Sequence, residues 1–283
     1  MSRRFLHAGF GRSALHLLWV LLTLVAPATL AGQDFRVDTE VFVGEEKEPL
    51  AATLTLFADG LVYDFLYETK QSEPREITVY DPRMQHFTLL DPRQRLKTVI
   101  TVQEVQESCI SLNLHAKESK DPFFVFAAEP KFEVTEEAVK ERGQDATRLT
   151  LTGEWMIYSA VGRKPEIAVT AASYRAFADA HNRLNALRPG GMLPAPRAEL
   201  NEQLGARGLL PSKVSRVILP QSRFQRKLEV RSEHLFNWTL SRLDREKIEQ
   251  VGGYRVNFES LPFDKYRDRH NHVPPAPQQQ AKR

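Results

Sequence analysis

Residues 53–102 decide the fold of this 283-residue chain, with the sequence TLTLFADGLVYDFLYETKQSEPREITVYDPRMQHFTLLDPRQRLKTVITV. Apolar and polar side chains alternate along each short segment, and a period of two places one set on one face of a β-sheet. The alternating sets are Leu54 and Leu56; Leu61, Tyr63, Phe65 and Tyr67; Ile77 and Val79; and Leu96, Thr98, Ile100 and Val102. The stretch therefore predicts five short strands in an antiparallel meander with one apolar face.

The segments between these strands carry turn residues. Ala58-Asp59-Gly60 is followed by Asp81-Pro82-Arg83 and, ten residues later, by Asp91-Pro92-Arg93. Proline fixes φ at the second position of a turn, and a preceding aspartate accepts hydrogen bonds from the turn backbone. We therefore interpret Asp81 and Asp91 as turn residues rather than as a pair of catalytic acids. An apolar sheet face also needs a cover, which the rest of the chain must supply.

The N-terminus has the three regions of a secretory signal peptide, predicted over residues 1–31. These regions are Arg3, Arg4 and Arg12, then the apolar run 14–28, then the small-residue segment 29–31. We expect cleavage after Ala31, with Ala28 as the second choice, and a periplasmic or otherwise exported protein with no stable membrane span after cleavage. Twin-arginine export and an uncleaved helical anchor are the alternatives.

Charge and cysteine content narrow the class of protein. Residues 1–31 hold three arginines and no acids, so the remainder has 36 basic and 36 acidic residues and no net charge. A neutral chain without a dense basic stripe is atypical of nucleic-acid binders, and we expect no nucleic-acid partner. Cys109 is the single cysteine, which excludes an intrachain disulfide. A buried, inert thiol is the simplest interpretation, with an exposed thiol or an intermolecular bridge as the alternative.

The remaining sequence predicts further strands, helices and a tail. The predicted strands are 34–43, 123–126, 131–135, 147–152, 154–160, 214–219 and 224–231. The predicted helices are 103–117, 171–188, one that begins at Pro196, and 241–251, which Gly252-Gly253 end. A possibly helical turn is predicted at 136–142. Residues 262–283, rich in charge, proline and glutamine, predict a disordered tail. We expect one α+β domain over 32–261, with a helical insertion at about 171–208. Helices 103–117 and 171–204 are the expected covers of the meander.

Catalytic signatures are scarce. The chain has no glycine-rich phosphate loop, no Gly-x-Ser-x-Gly and no His-Glu-x-x-His motif. His181 falls on the apolar side of a predicted helix and is interpreted as a core histidine. His270 and His272 could bind a metal ion only adventitiously. We expect no enzyme, no cofactor and no metal site; a hydrolase remains an alternative if His86, His115 or His234 meets a carboxylate in a cleft.

The meander, with its Tyr-Asp-Pro and Leu-Asp-Pro corners after a Phe-x-Val strand, resembles the periplasmic lipoprotein-carrier (LolA-like) superfamily over roughly residues 34–160. The resemblance implies a curved antiparallel meander, an incomplete barrel with helices covering one face. Residues 165–260 depart from the family pattern, and no lipid-contacting residue of the family is carried over to this chain.

These observations predict a non-enzymatic protein that binds a lipid or lipoprotein acyl chain in an apolar cavity between sheet and lid helices. The alternative is a structural or interaction module of the cell envelope, with an envelope protein as partner and a filled core. Six side chains on shared apolar strand faces are the predicted ligand-binding residues. They are Leu54, Leu56, Tyr63, Phe65, Ile77 and Val79.

Overall fold

The computed structural model describes residues 34–68, 71–220 and 227–271. The predicted signal peptide and residues 272–283 of the predicted tail lie outside this part. The strands are β1 (Phe35–Val43), β2 (Ala51–Ala58), β3 (Leu61–Glu68), β4 (Glu76–Asp81), β5 (His86–Asp91), β6 (Leu96–Thr101), β7 (Glu133–Glu141), β8 (Gln144–Thr152), β9 (Met156–Arg163), β10 (Leu210–Ile218), β11 (Leu228–Asn237) and β12 (Glu259–Ser260). The helices are α1 (Val102–Lys117), α2 (Pro122–Ala128), α3 (Ala168–Ala186), α4 (Ala195–Ala206), α5 (Arg242–Asn257) and α6 (Phe263–Asn271). The architecture is α+β, as the sequence predicts.

All twelve strands belong to one open sheet. Its order is β12-β6-β5-β4-β3-β2-β1-β11-β10-β9-β8-β7, antiparallel except where β12 pairs parallel with β6. The predicted meander is confirmed, because β2 to β6 are neighbours in chain order. Both Asp-Pro corners are turns: Asp81 Oδ1 accepts from the Arg83 and Met84 amides at 2.9 Å, and Asp91 Oδ1 accepts from the Gln94 amide at 3.0 Å.

The sheet is apolar on both faces. What we call the front face carries Phe35, Phe57, Tyr80 and Phe87, and strand pairing continues it to Leu149, Tyr158 and Val214. The opposite back face carries Leu54, Leu56, Tyr63, Phe65, Ile77, Val79 and Leu90. Adjacent residues in a strand point to opposite faces, so β2 to β5 are buried on both sides.

The helices cover both faces rather than one. Helices α1, α3 and α6 bury Val105, Phe177 and Tyr266 in the front-face core, and α4 packs Leu200 and Leu204 against the front of β8–β10. Helix α5 lies on the back face, where Val251 and the following Phe258 join the back-face core. Helices predicted at 103–117 and 171–188 correspond to α1 and α3, and both cover the front. The second apolar face of the meander explains why a further helix is needed.

Several segments differ from the prediction. Residues 123–126 belong to helix α2, because the Asp121 side chain accepts from the Phe123 amide and Pro122 starts the first turn. Residues 136–142, expected as a helical turn, fall largely in β7. Helix α5 runs through both glycines to Asn257.

The predicted tail contains helix α6. Its Tyr266 is 1% exposed, so this segment is part of the packed domain. The composition of this segment is polar, but Tyr266, Phe263 and His270 pack against the rest of the domain. The prediction of disorder from composition is therefore wrong for residues 263–271. Within the described residues, no helix is long and apolar enough to cross a membrane.

Candidate functional site between the sheet and helix α3

Two small pockets lie between the front face and helix α3. The first, the polar pocket, encloses about 230 Å³ and is lined by residues that include Thr39, Thr55, Asp64, His181, Asn185 and Arg197. The second, the apolar pocket, has a volume of about 190 Å³ and lies between the front face, the C-terminal end of α3 and helix α6. Its apolar lining includes Leu66, Leu89, Leu184, Leu187, Phe263 and Tyr266, and its ionisable lining residues are Arg75, Glu76, Arg188, Arg267 and His270. The α3 residues of the two pockets come from consecutive turns. The helix is therefore a shared wall.

Asp64 is the buried acid of the polar pocket. It lies directly opposite Thr55 in the β2–β3 pairing, and the Thr55 hydroxyl donates to Asp64 Oδ1 at 2.6 Å. Only 4% of Asp64 is exposed. Desolvation raises the pKa of Asp64 to about 6, and the Thr55 hydrogen bond opposes part of that shift. Because the ionised carboxylate is buried, Asp64 lowers the free energy of unfolding near neutral pH.

His181 faces Asp64 from the helix. Its ring stacks on Phe177, and its Nδ1 accepts from Asn185 Nδ2 at 3.4 Å. Its Nε2 is buried with no hydrogen-bond partner among the described residues, and it lies 3.7 Å from Asp64 Oδ2. Desolvation, and then the charge of Arg188, lowers the pKa of His181 to about 3. The imidazole is therefore neutral, and with the Asn185 amide oriented so that Nδ2 donates to Nδ1, the proton of the ring is on Nε2.

His234 enters the same pocket from β11. Its Nδ1 lies 3.0 Å from the Thr39 hydroxyl, and its Nε2 lies 2.9 Å from the Ser232 hydroxyl. Desolvation, followed by the charge of Arg197, lowers the pKa of His234 to about 3. A serine beside a histidine is the geometry of an activated nucleophile, but the second histidine nitrogen contacts a hydroxyl instead of a carboxylate. So weak a base suits hydrogen bonding better than proton abstraction.

A network of ionisable side chains forms part of the wall of the apolar pocket. His270 Nδ1 is 2.8 Å from Asp91 Oδ2, and His270 Nε2 is 3.5 Å from Glu76 Oε2. Glu76 also pairs with Arg188 and lies 3.4 Å from the Tyr266 hydroxyl. Hydrogen bonds from His270 and Gln94 outweigh desolvation and lower the pKa of Asp91. The network joins α6 to the ends of α3, β4 and β5.

The six predicted ligand-binding residues lie together, but on the back face. Strand pairing sets Leu54 opposite Phe65, Leu56 opposite Tyr63, and Phe65 opposite Ile77. All six are buried in one cluster whose helical cover is α5. The prediction that they share a strand face is confirmed. They do not line the space under α1, α3 and α4, since those helices lie on the other face.

The polar residues of the two pockets were not predicted as site residues. Asp64 is the one acid within the run LVYDFLY of β3, and an isolated charge in an apolar strand is the signal that could have identified it. Nothing local marks His181 or His270, since their partners come from strands more than one hundred residues away. Within the described residues, no group of His, Cys, Asp and Glu could hold a metal ion.

A larger groove lies elsewhere on the surface. It encloses about 540 Å³ and is lined by charged residues of both signs from the ends of β1, β7, β9, β10 and β11. Arg163 pairs there with Glu141, and Lys213 with Glu233. These two pairs use four of the charged side chains of the groove within the protein itself. We place the candidate site under α3, where buried polar atoms have no hydrogen-bond partner among the described residues.

No protein-family model matches the chain, and no curated protein matches it. Two solved structures of PNGF-II, in different crystal forms, are similar to it at 12% identity with a TM-score of 0.38 and at 10% identity with a TM-score of 0.34. These matches cover 85% and 84% of this chain but 33% of the PNGF-II chain. The chain therefore spans about a third of that protein's length. TM-scores this low support no conclusion about fold or function.

Proposed function

We propose that this chain is an exported, non-enzymatic protein that binds an acyl chain beneath helix α3, on the front face of the sheet. The observation that most supports this proposal is the pair of pockets that share α3 as a wall. One offers leucine and aromatic side chains, and the other offers buried polar groups. An amphiphile has the same division between an apolar chain and a polar end.

Binding in this proposal requires helix α3 to move. Each pocket is smaller than the roughly 300–1,000 Å³ of typical ligand sites. Two features make α3 a plausible lid: its first turn has no side-chain cap, and the connector to α4 contains Gly190 at a φ of 71°. Moving α3 would join the two pockets over the front of β1–β5. Burial of apolar surface, at about 25 cal/mol per Å², would then supply the binding energy.

The proposal includes a curved, incompletely closed sheet that wraps the front-face helices, as the lipoprotein-carrier resemblance implies. In this proposal the ligand contacts are the residues of the apolar pocket and no longer the six back-face residues. Of the pocket residues, Leu184 belongs to α3 and Leu187 is its C-terminal cap. Export and the absence of catalysis remain parts of the proposal.

A second candidate is an envelope interaction module with a filled core. It is favoured by the dense front-face cluster, in which the rings of Phe57, Tyr80, Phe87 and Phe177 pack with centroids 4.8–6.2 Å apart. In this alternative the large charged groove is the surface for a protein partner. It predicts no lipid ligand.

The deciding experiment is lipid extraction and mass spectrometry of the purified mature protein, together with titration of a fluorescent fatty acid. Leu187→Trp is the test variant, because the larger side chain would fill the apolar pocket. Leu243→Trp is the matched control, because Leu243 is 64% exposed on α5. We expect the test variant to weaken fatty-acid binding about tenfold or more and the control to bind like wild type.

Two results would overturn the proposal. One is a protein that carries no lipid and does not bind the fluorescent probe, with near-UV circular dichroism confirming its tertiary structure. The other is binding that Leu187→Trp leaves unchanged.

A further inference from the structure

The polar pocket contains donors and acceptors that the protein itself does not use. His181 Nε2 carries a proton, for the reason given above, and has no acceptor among the described residues. Asn185 Oδ1, one turn further along α3, is likewise a buried acceptor without a donor in the described part of the chain. Asp64 Oδ2 lies 3.7 Å from His181 Nε2, beyond hydrogen-bond length. Buried polar atoms left unsatisfied are uncommon and destabilising, which points to a missing partner.

A hydroxyl group satisfies these atoms better than a methyl or an ammonium group, because it both accepts and donates hydrogen bonds. Its oxygen can accept from His181 Nε2–H while its proton goes to Asp64 Oδ2. A second hydroxyl can donate to Asn185 Oδ1. A methyl group would satisfy neither atom, and an ammonium group has no acceptor for the His181 proton.

The charge of Asp64 disfavours an anionic head group placed beside it. Asp64 and Arg197 are the ionisable residues in the lining that carry charge near neutral pH, because both histidines are neutral there. When Asp64 is ionised, its charge and that of Arg197 are opposite, and the pocket carries no net charge. Burying a carboxylate against Asp64 would bring two like charges together, whereas a hydroxylated head group brings none.

We propose that the polar pocket is a binding site for the uncharged, hydroxylated head group of a lipid, of the kind presented by a monoacylglycerol. This inference rests on the proposed binding of an acyl chain beneath α3. It adds that the bound lipid is recognised by hydroxyls at His181, Asp64 and Asn185, with its chain directed to the apolar pocket.

The test compares two probes that share one acyl chain, 1-monolauroylglycerol and lauric acid, by competition against a fluorescent fatty acid at pH 7.5. We expect the glycerol ester to bind about tenfold more tightly, the scale of one hydrogen bond. His181→Phe keeps a ring that can stack on Phe177 and removes the Nε2 donor. We expect it to abolish the preference and to leave lauric acid binding within about threefold of wild type.

His115→Phe is the matched control, because His115 lies exposed on α1, away from the pocket. If His181→Phe does not fold, Asp64→Asn supplies the same test, since it makes the interaction with a hydroxyl weaker and adds no bulk. Failure of both probes to bind overturns the proposed function itself. Equal binding of the two probes, or a preference that persists in the folded pocket variants, overturns this inference and leaves acyl-chain binding intact.

Discussion

Asp64 is a residue whose burial opposes stability. Burial raises its pKa from 3.8 to about 6, so the folded protein binds this proton more tightly than the unfolded chain does. The resulting loss of stability is complete above about pH 6, shrinks as the pH falls and disappears near pH 4. Residues that lower stability in this way often serve binding or catalysis. The carboxylate is therefore the side chain whose replacement is most informative.

We predict that Asp64→Asn raises the free energy of unfolding at pH 7.5 by about 1–3 kcal/mol, because a neutral amide avoids the desolvation of a charge. The gain should become smaller at pH 4.5, where wild-type Asp64 is already protonated. Urea denaturation of both proteins at the two pH values measures the difference. Thr78→Ser, at another buried polar position on the front of the sheet, is the control and should show no such pH dependence. A variant less stable than wild type at pH 7.5 would contradict the account.

At the scale of the residue, sequence patterns predicted which side chains share a face but not which face is functional. Alternation placed Leu54, Tyr63 and Ile77 together, and strand pairing confirms it. Alternation carries no information on which helix covers which face. It also treats Asp64 as a solvent-facing residue, because a one-dimensional pattern does not show that α3 covers the other face.

At the scale of the element, helix α6 is held both by the burial of Tyr266 and by the polar contacts of His270. Its main apolar anchor is Tyr266, and His270 is placed between Asp91 and Glu76. Desolvation raises the pKa of the Tyr266 hydroxyl far above its ordinary value, with the nearby Glu76 adding to the effect. Removing the histidine would leave two buried carboxylates with fewer partners.

We predict that His270→Gln destabilises the protein by about 1–3 kcal/mol, the scale seen when a buried hydrogen-bonding group loses its partner. Amides of α6 should exchange faster than in wild type, and those of α4 should not change. Arg269→Gln is the control, since Arg269 is 56% exposed, and its substitution should cost less than about 0.5 kcal/mol. Hydrogen-exchange mass spectrometry makes both measurements. Unchanged exchange in α6 would show that the charge network does not hold this helix.

Elements with local signals were predictable, whereas those fixed by distant contacts were not. Helix α1 begins with a capping box formed by Thr101 and Glu104, and its apolar spacing is helical. Helix α6 has only two apolar residues, Phe263 and Tyr266, and its position also depends on Asp91, far back in the sequence. The two glycines within α5 suggested an end, yet Val251 and Phe258 on either side of them both pack on the back face.

At the scale of the whole molecule, the two faces of the meander have different roles in this account. The back face is a filled core under α5, and the front face holds both pockets under α3. Substitutions on the back face should therefore change stability without changing ligand affinity. Substitutions in the two front-face pockets should also change ligand affinity.

We predict that Leu56→Ala lowers the free energy of unfolding by about 2–5 kcal/mol, because Leu56 is fully buried and its truncation leaves a cavity. Fatty-acid affinity of the folded variant should stay within about twofold of wild type. Chemical denaturation and probe titration, both below the unfolding temperature of the variant, measure the two quantities. A large loss of fatty-acid affinity in the folded variant would indicate that the ligand binds on the back face.

The central claim is that the acyl chain lies beneath α3, and photo-crosslinking tests it most directly. The probe is a monoacylglycerol that carries a diazirine near the end of its acyl chain. After irradiation of the probe with the purified protein, mass spectrometry maps the labelled peptides. We expect labels at Leu184 in α3 or at Leu187, its C-terminal cap. We also expect labels on the front face of β3 and β5, at residues such as Leu66 and Leu89. Labels confined to α5 and the back face, or to the charged groove, would contradict the claim.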